Sequence, residues 1–126
     1  MLFRSKTIKR ANPQMIANLY YGGRNGNRGT HTMDGWTFRG SGPIQTTGRN
    51  NHTAFGKTVG MSPEEAAEYI RTPEGGVKAA LYYWRNNNLI IPASRGDVTR
   101  CTQIINGGQN GLESRIALYK RALAAL

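Results

Sequence analysis

The sequence predicts a mainly α-helical domain with one small extended element, on two observations. Pairs in which Asn, Ser or Thr precedes proline recur along the chain, and such pairs are typical of helix starts. Apolar residues in the second half recur at helical spacing, and glycine or asparagine clusters follow them. With 126 residues, of which 38% are hydrophobic, we expect a single domain over 1–126 with a modest core, and disorder in residues 1–10.

The first half predicts two helices separated by a polar loop and an extended stretch. Asn12 and Pro13 favour a helix that ends at Gly22-Gly23. Residues 22–35 are rich in Gly, Asn, Arg and Thr, which predicts a surface loop. We interpret residues 36–42 as a short hairpin-like extended stretch. A second helix is predicted for residues 48–59, with Gly60 just past its end.

The second half predicts four further helices. Residues 62–65 form a capping-box pattern, with Ser at the N-cap and Glu three residues on. Residues 72–74 repeat the entry signal and begin a helix that residues 86–88 interrupt. Asp97 is expected to cap the next helix, which residues 106–108 stop. The last helix has apolar positions at Leu112, Ile116, Tyr119 and Leu123.

Charge limits the classes of partner. Seventeen Lys and Arg against seven Asp and Glu give a net charge of +10, which predicts attraction to a polyanion. A nucleic-acid module usually clusters its basic residues on one face, whereas here they are scattered, so we expect no nucleic-acid partner. No run approaches the roughly 20 apolar residues of a membrane span. No apolar run follows the basic N-terminus, so no secretory signal is predicted.

Neither a metal nor a cofactor is predicted. Cys101 is the only cysteine, and we expect it on the buried face of a helix. His31 lies in a polar segment, and His52 is expected on a solvated loop or helix face. Two isolated histidines without neighbouring acidic or thiol ligands make a poor metal site.

Several polar and aromatic residues are suited to carbohydrate. Amides, hydroxyls and guanidinium groups satisfy sugar hydroxyls and N-acetyl groups, and flat aromatic rings can stack on sugar rings. The alternative for each amide is a helix cap or a loop brace. The polar candidates are Gln45, Thr47, Asn51, Asn106 and Arg115, and the aromatic ones are Tyr20, Tyr21, Trp36 and Tyr83.

The order of the motifs resembles glycoside hydrolase family 19, which includes chitinases and phage endolysins with a lysozyme-like fold. The resemblance runs from about Ala11 to Ala125 and is closer to compact phage endolysins than to plant chitinases. It implies a lysozyme-like α+β fold with a small hairpin, here incomplete at the N-terminus. The motifs that carry it are residues 21–27, 34–36, 38–51, 81–84, 105–108 and 114–119.

The resemblance also implies an activity and roles for residues. Family members hydrolyse β-1,4 links at N-acetylated amino sugars by inversion, with one carboxyl as acid and a second that activates water about 6.5–9.5 Å away. Thr47 matches a hydroxyl that helps to hold the water, and Gln45 and Asn51 match sugar-binding groove residues. Asn106 matches an amide near the reaction centre, and Arg115 a basic residue of the charged network.

This sequence departs from the family pattern in several ways. Ser41 stands where the endolysins often have Arg, and His52 where they often have Tyr. Both catalytic Glu of the family lie upstream of the matched region, and this sequence has no Glu before Glu64. Asp34 is the only acid beside the groove motifs, so it is the one carboxylate candidate in this region.

Three functions stay open at this point. The chain is part of an endolysin-like hydrolase of peptidoglycan or chitin, whose partner is a separate N-terminal catalytic segment or a second copy. Alternatively, it is a non-catalytic wall-binding protein, or, third, a basic nucleic-acid binder. For the first function we expect cytoplasmic synthesis without a signal peptide and action at the cell wall after release.

Overall fold

The computed structural model describes residues 12–126, and the predicted mainly helical fold is confirmed. Two helix starts illustrate why. The Asn12 side chain accepts a hydrogen bond from Met15 N at 3.1 Å, and Ser62 and Glu65 form the predicted capping box. The helices in this part of the chain are α1 Pro13–Tyr21, α2 Asp34–Thr37, α3 Arg49–Val59, α4 Pro63–Ile70, α5 Pro73–Asn86, α6 Ile90–Ser94, α7 Val98–Asn106 and α8 Leu112–Ala125.

The extended stretch predicted for residues 36–42 is wrong at its start. Trp36 lies in α2, because amide groups at Thr37 and Phe38 donate to carbonyls four residues back and close a helical turn. The hairpin is reduced to an isolated antiparallel bridge between Ser41 and Thr46, and no strand forms within residues 12–126. The expected β part of the fold is therefore not shown.

The chain divides into two compact units, one extending to Leu81 and the other covering Tyr82–Leu126, so that the boundary falls within α5. In the first unit, α1 packs on α2 and α3 packs on α4. Its core is small, since most of its buried apolar residues are alanine. The buried apolar residues here are Ala17, Phe38, Phe55, Ala66, Ala67, Ile70 and Ala79.

In the second unit α7 packs on both α6 and α8. Leu89 and Thr102 are buried, and Cys101 is half-buried, with the pKa of its thiol raised chiefly by burial. The short helix α6 was not predicted. Helix α8 contains the four apolar positions predicted for the last helix, but none of its residues is fully buried. Among the described helices, none is long and apolar enough to cross a membrane.

The segment between α1 and α2 caps α3 from outside that helix. Gly48 precedes α3 and has no side chain with which to cap it. Instead, Asn27 Oδ1 accepts from Arg49 N at 2.8 Å, and the carbonyl of Asn25 accepts from Asn50 N at 3.0 Å. These bonds satisfy two of the first helical N–H groups, which have no partner inside the helix. The position of α3 therefore depends on this loop, which residues 22–33 form.

Candidate functional site: a surface of hydrogen-bond acceptors

The side chains of Gln45 and Thr47 converge on the backbone of Gly40. A methyl group added at Gly40 would collide with Gln45 Oε1 and would lie 3.5 Å from Thr47 Oγ1. Only glycine leaves room for this approach. Asn51 also contacts the carbonyl of Thr47. The predicted site residues Gln45, Thr47 and Asn51 therefore lie next to one another.

Each of these side chains donates a hydrogen bond to a backbone carbonyl of the same segment. Asn51 Nδ2 donates to Thr47 O at 2.7 Å, Thr47 Oγ1 donates to Gln45 O at 3.0 Å, and Gln45 Nε2 donates to Gly42 O at 3.0 Å. Each of the three side chains therefore uses one donor within the segment. Gln45 Oε1, the Thr47 hydroxyl oxygen and Asn51 Oδ1 accept no hydrogen bond from residues 12–126. We call Gly40, Gln45, Thr47 and Asn51 the acceptor surface.

Gln45 adopts an unusual backbone conformation at this surface. Its φ is 54°, in the left-handed region, which costs a residue with a side chain about 1–2 kcal/mol. Both its backbone N and its Nε2 donate to the carbonyl of Gly42, at 3.1 and 3.0 Å, and these bonds stabilise the strained turn. Strained backbone of this kind is concentrated at functional sites. The turn holds the Oε1 atom of Gln45 over Gly40.

Two of the four aromatic residues predicted to bind sugar, Trp36 and Tyr21, have neighbours of their own. The guanidinium carbon of Arg39 lies 3.8 Å from the centre of the Trp36 ring, so one face of the indole is covered. Tyr21 meets Tyr20 edge to face at 4.8 Å, and the Tyr21 carbonyl accepts from Asn27 Nδ2. A ligand that approaches this face of Trp36 would therefore meet the guanidinium of Arg39 as well as the ring.

Asp34, at the start of α2, is bound by two arginines. Arg28 donates to both carboxylate oxygens from its side chain, at 2.8 and 3.0 Å, and from its backbone N at 2.8 Å. Arg49 donates to the same two oxygens at 3.0 and 3.1 Å. Asp34 is only 2% exposed. Nothing in the sequence had indicated that Arg28 and Arg49 would meet at this carboxylate.

This arrangement decides what Asp34 can do chemically. The hydrogen bonds from Arg28 and then from Arg49 hold the pKa of Asp34 far below its usual range, although burial opposes the shift. The group therefore stays ionised and has no proton to donate. An effective general base or acid needs a pKa near the working pH. The geometry favours a structural carboxylate that joins α2 to α3.

The other carboxylates on the described residues also have local explanations. Glu64 pairs with Arg49 at 3.1 Å, and Glu65 closes the capping box of α4, where hydrogen bonds to Ser62 lower its pKa. No group of three or more His, Cys, Asp or Glu within residues 12–126 could hold a metal ion. The remaining acids face solvent as helix-surface pairs or first-turn residues: Glu68 with Arg71, Glu74 with Lys78, Asp97 as the N-cap of α7, and Glu113 in α8.

In the second unit, Asn106 and Arg115 meet at one carbonyl. Asn106 Nδ2 donates to Asn110 O at 3.1 Å, and Arg115 Nη1 donates to the same oxygen at 2.7 Å. They brace the turn between α7 and α8. The structure thus joins these two predicted residues to each other, while Gln45, Thr47 and Asn51 are joined in the first unit.

The prediction that His52 is solvated is wrong, because the residue is fully buried. Its Nδ1 lies 2.8 Å from Gly48 O, and its ring packs 5.2 Å from Phe38. The Nε2 atom has no partner among the described residues. Burial lowers the pKa of His52; the hydrogen bond to Gly48 O opposes this shift, and the charge of Arg71 adds to it. A signal was present: His52, Phe55 and Gly56 share the helical spacing of a buried face.

Comparison with known proteins completes the description of the site. The chain matches no family profile. It is 40% identical over 110 residues to a Haemophilus influenzae protein named "Glycosyl hydrolase family 19 domain-containing protein". That match covers 86% of this chain and 52% of the relative, so the chain spans about half the length of the relative.

The Asp34 cluster predicts a large loss of stability in Asp34→Asn. The amide has no negative charge. Its NH2 group replaces an oxygen that accepts hydrogen bonds from arginine, so two donors then face each other. We expect the free energy of unfolding to fall by about 3 kcal/mol, because breaking a buried pair leaves charge uncompensated. Urea denaturation at pH 7 measures the change. The matched control Glu64→Gln removes only the exposed partner of Arg49 and should cost less than about 1 kcal/mol. Equal losses in both variants would contradict this account.

Burial of His52 predicts stability that decreases in mild acid. The pKa is lowered from about 6.5 in the folded chain, so the unfolded chain binds the additional proton. Stability contributed by neutral His52 is therefore present above pH 6.5 and is lost as the pH falls below it, by at most about 1.4 kcal/mol per pH unit. Urea denaturation between pH 7.5 and 5 measures this slope.

Two variants identify the group responsible for the slope. His52→Phe keeps an aromatic ring against Phe38 but cannot titrate, so its slope should be flatter than that of the original chain. His31→Gln changes an exposed histidine and should leave the slope as it was. A slope that survives in His52→Phe would assign the effect to another group.

Proposed function

From the 40% identity just described, which confirms the resemblance to glycoside hydrolase family 19, we propose that this chain forms the glycan-binding and water-holding part of a cell-wall polysaccharide hydrolase. The reaction is cleavage of β-1,4 links between N-acetylated amino sugars by inversion. The substrate is peptidoglycan, with chitin as the alternative. The residues proposed to act are those of the acceptor surface, together with Trp36 and Tyr21, and with Asn106 and Arg115 in the second unit.

The acceptor surface is the observation that carries this proposal. Each of its three side chains uses one donor within the segment, and the oxygen lone pairs of Gln45, Thr47 and Asn51 remain available to a ligand. Sugar hydroxyls, the N–H of an acetamido group and water all donate hydrogen bonds. An inverting hydrolase must hold one water on the face of the sugar opposite the leaving group. A hydroxyl such as that of Thr47 can accept from this water without competing as a nucleophile.

Proton transfer is proposed to come from carboxylates outside this sequence. Inversion needs two carboxyl groups, one protonated and one ionised, on opposite sides of the scissile bond. Asp34 is held ionised by Arg28 and Arg49, and the other described acids sit in surface ion pairs, caps or helix first turns. A separate catalytic segment or a second copy of the chain is the proposed partner.

The same observation favours a second candidate, a wall-binding protein without catalysis. Such a protein needs the acceptor surface and the positive charge, and it does not need a carboxylate pair. The net charge of +10 attracts the chain to an anionic envelope in either case. Both functions therefore predict that the chain binds glycan. Only the first predicts lysis once a catalytic segment is added.

The hydroxyl of Thr47 gives the binding prediction. Thr47→Val keeps the shape of the side chain and removes the oxygen, so affinity for a four-sugar peptidoglycan fragment should fall about three- to tenfold, as expected for one hydrogen bond. Isothermal titration calorimetry measures it. Thr58→Val removes a similar hydroxyl, bonded at 2.7 Å to Phe55 O near the other end of α3, and should bind like the original chain. Equal weakening in both variants would contradict a glycan contact at Thr47.

Turbidity of permeabilised bacteria separates hydrolase from binding protein. The 126-residue chain alone should leave the suspension turbid, because general acid and base groups together contribute a large part of the rate. Addition of a polypeptide made from the unmatched part of the Haemophilus influenzae relative should produce clearing. With Thr47→Val, clearing should be slower. Clearing by the chain alone would overturn the proposed source of the carboxylates, and no clearing with the added segment would favour the binding protein.

A further inference from the structure

Arg39 presents a cation directly beside the acceptor surface. It is the residue before Gly40, and its carbonyl accepts from Ser41 Oγ at 2.8 Å at the start of the turn that carries Gln45. Its guanidinium stacks on Trp36 at 3.8 Å, and its Nη1 donates to Trp36 O at 2.8 Å. Two contacts thus fix the plane of the guanidinium on a ring that the sequence analysis offered as a stacking surface for sugar.

One edge of this guanidinium has no partner among the described residues. Nη1 donates to Trp36 O, whereas the Nε and Nη2 groups of Arg39 donate to no residue among 12–126. Within the described part of the chain, Arg39 also differs from neighbouring arginines in that it forms no ion pair. Arg28 and Arg49 bind Asp34, and Arg71 lies 3.5 Å from Glu68. The Nε/Nη2 edge of an arginine is one that binds carboxylate through two parallel hydrogen bonds.

A second cation, Arg71, lies near Arg39. The positive charge of Arg39 is therefore increased, and not neutralised, by this neighbour. Arg71 donates to Thr37 O at 3.3 Å, next to the Trp36 carbonyl that holds Arg39. After burial, the charge of Arg39 is the next cause that lowers the pKa of Arg71. Adjacent carbonyls at the end of α2 thus hold two like charges close together. A bound anion would relieve their repulsion.

We propose that Arg39 binds a carboxylate of the glycan beside the acceptor surface and thereby selects a carboxylate-bearing peptidoglycan strand over neutral chitin. This inference rests on the proposed function and names its substrate class. Half-buried and stacked on Trp36, the guanidinium has lost part of its rotational freedom before binding, which reduces the entropy cost of a bidentate contact. The acceptor surface itself would bind either glycan, because both carry hydroxyl and acetamido groups.

Binding to three matched probes tests the proposal. The first is a four-sugar peptidoglycan fragment with its stem peptides, the second is the same fragment with its carboxylates converted to neutral methylamides, and the third is the chitin tetramer. Calorimetry at fixed ionic strength should show the carboxylate form binding about tenfold more tightly than the methylamide form. That ratio corresponds to one charge-assisted contact at the weak end of its range. The chitin tetramer should resemble the methylamide form.

Three variants of the 126-residue chain locate the preference. Arg39→Gln should still bind the methylamide form, but the ratio of its affinities for the carboxylate and methylamide forms should fall to about one. Arg39→Lys keeps the charge without the two-pronged edge and should lose most of the preference. Arg85→Gln removes an exposed arginine of α5 and should keep the preference in full.

The outcomes are distinguishable. If the original chain binds all three probes equally well, the inference about Arg39 is overturned and the proposed glycan site stands. If Arg39→Lys keeps the full ratio, the bidentate contact is overturned in favour of charge alone. If the original chain binds none of the probes, the proposed function is overturned, and the inference with it.

Discussion

The buried carboxylate of Asp34 is the constraint on which the first unit depends. Arg28 brings the loop to it and Arg49 brings the first turn of α3, so one anion joins segments that are distant in sequence. Because Asp34 is almost completely buried, each guanidinium offsets part of the cost of removing the charge from water. The loop then caps α3 through Asn25 and Asn27, which orients the helix that carries Asn51.

The same cluster explains why this carboxylate is unsuited to catalysis while it supports a site nearby. A general acid or base must exchange its proton at the working pH, whereas Asp34 is stabilised in one state by two cations. A structural carboxylate has the opposite requirement. Because it stays in one protonation state, it holds its neighbours in one geometry. The oxygens of Thr47 and Asn51 are therefore positioned by a charge that does not itself react.

How far the sequence could predict this structure depended on the range of the interactions. Caps such as Asn12, Ser62 and Asp97 act within one helical turn, so their positions were predictable and are confirmed. The helical turn at Trp36 was missed, because part of its support comes from α1, where Asn18 Oδ1 accepts from Trp36 N at 2.8 Å. The burial of His52 was missed although the helical spacing of His52, Phe55 and Gly56 indicated it. The pairing of Arg28 and Arg49 at Asp34 spans up to 15 residues and left no periodic signal. The family resemblance brought Gln45, Thr47 and Asn51 together in advance, and the direction of their hydrogen bonds required coordinates.

That direction of hydrogen bonding separates recognition from chemistry in this chain. The acceptor surface uses its own donors to fix Gln45, Thr47 and Asn51, which leaves lone pairs for a ligand that donates, and both glycans and water do so. Acceptors of this kind cannot distinguish two glycans that carry the same hydroxyl and acetamido groups. Discrimination needs a group of another type, and at Gly40 the adjacent group is the cation of Arg39. Charge beside a neutral surface is therefore the physical means of selection among cell-wall polysaccharides in the function proposed above.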